Sequence, residues 1–184
     1  MTSAVSGGFR KTSERLVHEG YIVSLFEAEF EGPGGENISR DVIRHPGAVA
    51  VVAVDGDEVV LVRQFRAALE AEMLEIPAGK LDVPGEPLEA AARRELVEEA
   101  GLDAPQLELL VRFHNSGGFC DEETSVFLAT ELVEATPEAV SVEEQYLTVE
   151  RVRLDDVHDL IADGTITDAK TVIGLLMALR RLGR

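Results

Sequence analysis

The chain has 184 residues, 45% of them apolar, and carries 35 acidic against 17 basic side chains for a formal net charge of −18. That length suits one domain of ordinary size with a small appendage, and the single cysteine, Cys120, excludes an intramolecular disulfide and points to a reducing, cytoplasmic setting. The acidity speaks against a nucleic-acid partner, whose phosphates want a basic surface; no apolar run approaches the roughly 20 residues of a membrane helix, and the first residues lack the apolar core of a signal peptide.

Taken in chain order, residues 1–19 are mixed and polar, and read either as partly disordered or as helical at 14–18. Residues 21–30 read as a strand, Gly32-Pro33-Gly34-Gly35 as a turn, and 37–44 as the hairpin partner. His45-Pro46-Gly47 then breaks the chain. It marks a boundary between an N-terminal β-rich segment, 1–45, and a main domain, 46–184. Apolar β-branched runs at 48–54 and 58–66 flank Asp55-Gly56-Asp57, a hairpin signature. A short strand is expected at 73–77, a helix at 87–100, and strands at 107–113, 124–132 and 145–152. Helices at 155–162 and 168–182 follow, the last amphipathic through Val172, Leu175, Leu176 and Leu179. Strands, one helix, more strands and then helices indicate a mixed α/β (α+β) layer fold.

The helix at 87–100 carries the chemistry. Pro87 suits a first helical position, where its missing N–H costs nothing, and Gly101 is a natural left-handed terminator. Turned at about 100° per residue, the helix puts Leu88, Ala92, Glu95 and Glu99 in one stripe, with Glu98 to one side. A solvated charge run would place its acids opposite the apolar stripe. Glu98 and Glu99 also occupy the last turn, where negative charge opposes the helix dipole at about 0.3–1 kcal/mol each. Glu95 and Glu99 repel one another at i, i+4. A hard divalent cation would relieve all three conflicts. The alternative is that Arg93 and Arg94 pair with these acids on a surface.

These residues resemble the Nudix box. Glu86 is followed by seven residues and then by Arg94-Glu95-Leu96-Val97-Glu98-Glu99-Ala100-Gly101-Leu102, which matches the second half of the box at every fixed position. One departure is that six residues, not five, separate Gly79 from Glu86; a turn at Pro84-Gly85 would absorb the extra one. The resemblance implies a Nudix α/β/α sandwich with a mixed sheet and hydrolysis of a nucleoside diphosphate linked to a second moiety. It implies that Glu95 and Glu99 bind Mg²⁺ or Mn²⁺, with Glu98 and the Ala78 carbonyl as further ligands, and that Arg94 orients the glutamates. The base that activates water in similar ADP-sugar hydrolases is a glutamate on a later loop, a position that Glu143 and Glu144 both fit.

Further stretches resemble the ADP-ribose/ADP-sugar pyrophosphatase branch: Arg40-Asp41-Val42, His45-Pro46-Gly47-Ala48-Val49-Ala50, Val62-Arg63-Gln64-Phe65-Arg66, Leu74-Glu75-Ile76-Pro77-Ala78-Gly79 and Thr167-Asp168-Ala169-Lys170-Thr171. That branch implies a small-molecule nucleoside diphosphate sugar as partner and a homodimer in which the N-terminal β-rich segment helps build the pocket. Arg66 and Arg40 are candidate substrate contacts, because a guanidinium fork suits phosphate oxygens. Gly117 and Gly118 lie in a candidate substrate loop, where Gly117 replaces the proline usual in the branch and should loosen it. A hydrolase of another nucleoside diphosphate sugar or of modified nucleoside triphosphates, and a silent Nudix-like binding regulator, are the rival readings. The four histidines show no metal spacing, and Cys120 has no basic neighbour in sequence to suggest a thiolate.

Overall fold

The computed structural model describes residues 7–136 and 144–184. The chain divides into two compact units, one formed by the residues up to Gly47 with His114–Glu122, the other by Ala48–Phe113 with Glu123–Arg184.

The first unit is an antiparallel sheet of β1 (Arg10–Glu19), β2 (Ser24–Glu31) and β3 (Asn37–Arg44), in that order. The helix read at 14–18 does not form. Those residues belong to β1, with Glu14 opposite Ala28 and Leu16 opposite Phe26. Tertiary pairing overrides a weak local helical preference, and cross-strand pairs such as Arg10–Glu31 at 2.9 Å support it. The segment 114–122 joins β3 through Ile43 N–H, which donates to the Phe119 carbonyl at 2.7 Å, and Asp121 N–H, which donates back to Ile43 at 3.1 Å.

The second unit is built on a mixed sheet. Its central path runs through β12 (Thr148–Arg153), β5 (Glu58–Arg66), β4 (Ala48–Asp55), β10 (Glu123–Ala129) and β9 (Leu107–His114). Two further strands, β6 (Ala71–Glu75) and β7 (Ala78–Lys80), pair with β5 and β4 respectively. A small ribbon joins β8 (Leu102–Asp103) to β11 (Val133–Glu134). β4 runs parallel to β10 and antiparallel to β5. Its near-continuous apolar sequence reflects burial on both faces. Val49, Val51 and Ala53 pack with Ala91, Ala92 and Leu96 of helix α1 (Leu88–Ala100). Ala50, Val52 and Val54 face Leu175, Ala178 and Leu179 of helix α3 (Ala169–Leu182). The result is helix, sheet, helix, the layered arrangement expected. The short helix α2 (Val157–Ala162) adds Val157 to the α3 side.

Several element ends differ by a few residues. Pro87 caps α1 instead of opening it, because its ψ of 143° is extended. The strand expected from residue 145 begins at Thr148, after a 3-10 turn over Glu144–Tyr146. The strand ending expected at 132 stops at Ala129. Among the described residues, no helix is long and apolar enough to cross a membrane.

Candidate functional site

Helix α1 lies with its acidic stripe turned inward. Glu95 is 6% exposed and Glu99 8%, while Glu98 is half-buried. The helix ends on Gly101, whose φ of 64° is the left-handed conformation that a side chain would oppose. Glu95 and Glu99 are therefore not surface acids, although Arg94 does pair with Glu95. Arg93 turns away from them to donate to Asp103 at 2.7 Å and to the Ala104 carbonyl. Arg94 is the central cation. Its Nη1 donates to Glu95 at 2.7 Å and Glu98 at 2.9 Å, and its Nε and Nη2 reach Glu86 at 3.2 Å. The Glu86 bonds first, and the charges of Glu95 and Glu98 after them, raise the Arg94 pKa further above its ordinary range.

Two backbone elements grip the buried acids. Ala78 N–H donates to Glu99 at 2.8 Å. Gly79 passes so close to Glu95 that a Cβ there would stand 1.9 Å from the carboxylate carbon. Gly79 is thus required by close approach and not by a positive φ. Its unusual spacing from Glu86 is absorbed by a turn in which Glu86 N–H donates to Val83 at 3.2 Å and Gly85 adopts a φ of 79°.

Burial pushes the Glu99 carboxyl up to about 8; Glu95 adds to the rise, and the Ala78 N–H, Arg66 and Lys170 oppose it. A buried pair of carboxylates one turn apart repels itself, even with Arg94 on Glu95. Among the described residues, no three carboxylate, histidine or cysteine side chains converge as a ready-made cation cage. Mg²⁺ does not need one, since it keeps several waters and takes only one or two protein carboxylates. The hard oxygen donors of Glu95 and Glu99, with Glu98 alongside, fit such an ion. A groove of about 660 Å³ runs along the outer side of α1 and touches this cluster only at Arg94 and Glu98.

Arg66 is a candidate phosphate contact from sequence. In the structure its fork grips Glu75, with Nε at 2.7 Å and Nη2 at 2.6 Å. Glu75 is fully buried and also accepts from Lys170. Burial alone would raise its pKa, but the two cations outweigh that and hold it below the ordinary carboxylate range. Arg66 and Lys170 are close enough to Glu99 for their charges to lower its pKa as well. From sequence, Glu75, Lys170, Asp168 and Thr171 stand only within stretches that resemble the ADP-sugar branch and carry no role of their own. The available signal was a carboxylate inside the apolar stretch 73–77, which must be paired if buried.

Arg40, Gly117 and Gly118 belong to the first unit. Arg40 is exposed and donates to the Ser39 carbonyl at 2.7 Å. The Gly117–Gly118 loop is closed by Phe119 and Cys120 N–H groups donating to the Ser116 carbonyl at 3.0 and 2.9 Å. A Cβ at Gly117 would approach only His114, at 3.8 Å, and at Gly118 nothing. Glu144 opens the 3-10 turn before β12, and Glu143 lies outside the described residues.

The NUDIX domain model matches residues 44–173, most of the chain. This chain belongs to the Nudix hydrolase family. It is 39% identical to an ADP-ribose pyrophosphatase of Bacillus subtilis (strain 168) over 164 residues, covering 89% of this chain and 88% of that one. It is 38% identical to a methanol dehydrogenase activator of Bacillus methanolicus, covering 86% of each. An ADP-ribose pyrophosphatase of Mycobacterium tuberculosis (strain ATCC 25618 / H37Rv) is 36% identical, covering 91% of this chain and 82% of that one. A crystal structure of an ADP compounds hydrolase superposes with a TM-score of 0.84 and covers 96% of both chains. At 23% identity that match speaks for the Nudix fold alone.

Proposed function

We propose that this Nudix hydrolase splits the diphosphate of ADP-ribose, or of a related nucleoside diphosphate sugar, to AMP and ribose 5-phosphate or their equivalents. The observation that carries this reading is the buried Glu95–Glu99 pair, gripped by Gly79 and Ala78 on a helix with the box acids intact. The likeness to two ADP-ribose pyrophosphatases supports the substrate class.

Glu95, Glu99, Glu98 and the Ala78 carbonyl would hold Mg²⁺ or Mn²⁺, which supplies charge neutralisation at the diphosphate and a more acidic water. Arg94 keeps two of these carboxylates in place through charge-assisted bonds. Glu144 or Glu143 is the base that takes the proton from water. Arg66 presents its free N–H groups to phosphate oxygens while Glu75 holds its other edge.

We place the protein in the cytoplasm, given its single thiol, and read it as a homodimer without nucleic-acid or membrane partners. In the first unit Leu16 and Val17 of β1, and Ile22 and Val23 of the connection to β2, are exposed, apolar surface that a second copy would cover. Sedimentation at micromolar concentration tests this, and a monomer would reject it.

The functional test is a phosphate-release assay with Mg²⁺, coupled to alkaline phosphatase for ADP-ribose and GDP-mannose and to inorganic pyrophosphatase for a dGTP analogue, whose terminal phosphate alkaline phosphatase would remove by itself. Alkaline phosphatase acts on the phosphomonoester products and leaves an intact ADP-ribose diphosphate alone. Phosphate from ADP-ribose supports the reading. Release from GDP-mannose alone moves the substrate to another sugar, from the dGTP analogue alone to modified triphosphates, and none from any to a silent binding role.

A further inference from the structure

The N-terminal turn of α3 makes contacts that a helix serving only as a covering layer would not need. Asp168 caps the helix by accepting from Thr171 N–H at 2.9 Å and from the Thr171 hydroxyl at 2.6 Å. It also accepts from Lys170 at 3.0 Å. The Thr171 oxygen in turn accepts from Ile76 N–H at 3.0 Å, across 95 residues of sequence. Thr171 is fully buried. Two residues beyond Ile76 stands Ala78, whose N–H holds Glu99. Pro77 lies between them, and its fixed φ leaves that short stretch little slack.

A second path leaves the same turn. Lys170 and Arg66 share one buried carboxylate, Glu75. Arg66 spends two donors on it and has three left. Its side chain is 40% exposed, whereas that of Lys170 is 12% exposed. The lysine is therefore placed behind the arginine, where it anchors the carboxylate that aims the guanidinium.

We infer that Lys170 and Thr171 are positioning residues of the active site, Lys170 setting Arg66 through Glu75 and Thr171 setting Ala78 through Ile76. The inference rests on the diphosphatase reading above and adds two residues of α3 to it. It also explains why α3 must lie so close. A Cβ on Gly174, one turn along, would fall 3.0 Å from Ile76 Cδ1.

The test uses the full chain with Lys170→Met, Lys170→Arg, Thr171→Val and Thr171→Ser. Three quantities are read: Mn²⁺ affinity by electron paramagnetic resonance without substrate, KM and kcat on ADP-ribose, and the thermal midpoint. Lys170→Met should raise KM roughly tenfold or more, with Mn²⁺ affinity unchanged or tighter because a nearby cation is gone. Thr171→Val should weaken Mn²⁺ roughly 10–100-fold, because the Ile76 N–H loses its partner and the segment to Ala78 shifts. Lys170→Arg and Thr171→Ser should recover most of each loss. Lowered thermal midpoints with unchanged KM and Mn²⁺ affinity would show a structural tie only and overturn the inference. If Thr171→Val does not fold, the Lys170 pair decides by itself. Wild-type protein that neither binds Mn²⁺ nor splits ADP-ribose overturns the functional reading and this inference together, and shows it before any substitution is made.

Discussion

Replacing Glu99 by Gln should make the metal-free protein more stable as it destroys the site. The folded carboxyl has its pKa pushed from 4.5 to about 8, mainly by burial. Below the lower value both folded and unfolded chains keep the proton, so the group contributes nothing. Between the two values the unfolded chain has released a proton that the folded chain still holds. The unfolded state then binds fewer protons, and stability falls as pH rises. Above about 8 the penalty levels off on the order of 5 kcal/mol. Gln removes the charge yet keeps an oxygen for the Ala78 N–H. In buffer with a chelator, urea midpoints of the two proteins should therefore agree near about pH 4 and diverge up to about pH 8.5, the variant being the more stable. Mn²⁺ added at the upper end should rescue the wild type, since a ligand of the folded state alone stabilises it, and should leave the variant unmoved. Midpoints that run parallel across this range would refute the account of a desolvated carboxylate awaiting a cation.

Three other outcomes follow from the same geometry. Gly79→Ala puts a methyl 1.9 Å from the Glu95 carboxylate carbon; the flexible acid will swing aside, so kcat should drop about 10²-fold with little change in far-ultraviolet circular dichroism, and wild-type turnover would contradict the close approach. Gly174→Ala meets Ile76, Val126 and Val52 at 3.0–3.1 Å from three sides; overpacking of about 1–3 kcal/mol against a helix gain of about 1 kcal/mol gives a net loss of up to about 2 kcal/mol in urea denaturation, and a clear gain in stability would contradict the tight packing. Of Glu143→Gln and Glu144→Gln, one should lower kcat by roughly 10²–10⁴ at an unchanged Mn²⁺ affinity; no loss in either would remove both from the chemistry.

The acids of α1 were legible from sequence because a helix has one period, and Leu88, Ala92, Glu95 and Glu99 share its stripe wherever the helix is placed. The hairpin at Asp55–Gly56 and the two-faced burial of β4 were equally local, written in an unbroken apolar run. By contrast β1 hid behind alternating charges, since its strand form comes from β2 and not from its own propensity. Arg66 was noticed, but its partner was not, because a fork that suits phosphate suits any carboxylate.

What the sequence by itself determined is which helix carries the acids proposed as metal donors, which acids these are and that Arg94 stands among them. Only the tertiary structure decided how those groups are held. Gly79 packs against Glu95, Ala78 holds Glu99, and the first turn of α3 reaches Glu75 and Ile76 from 95 residues away. The physical reason is one of range. Periodicity and capping act within a few turns of chain, whereas desolvation and charge pairing depend on which segments the core brings together.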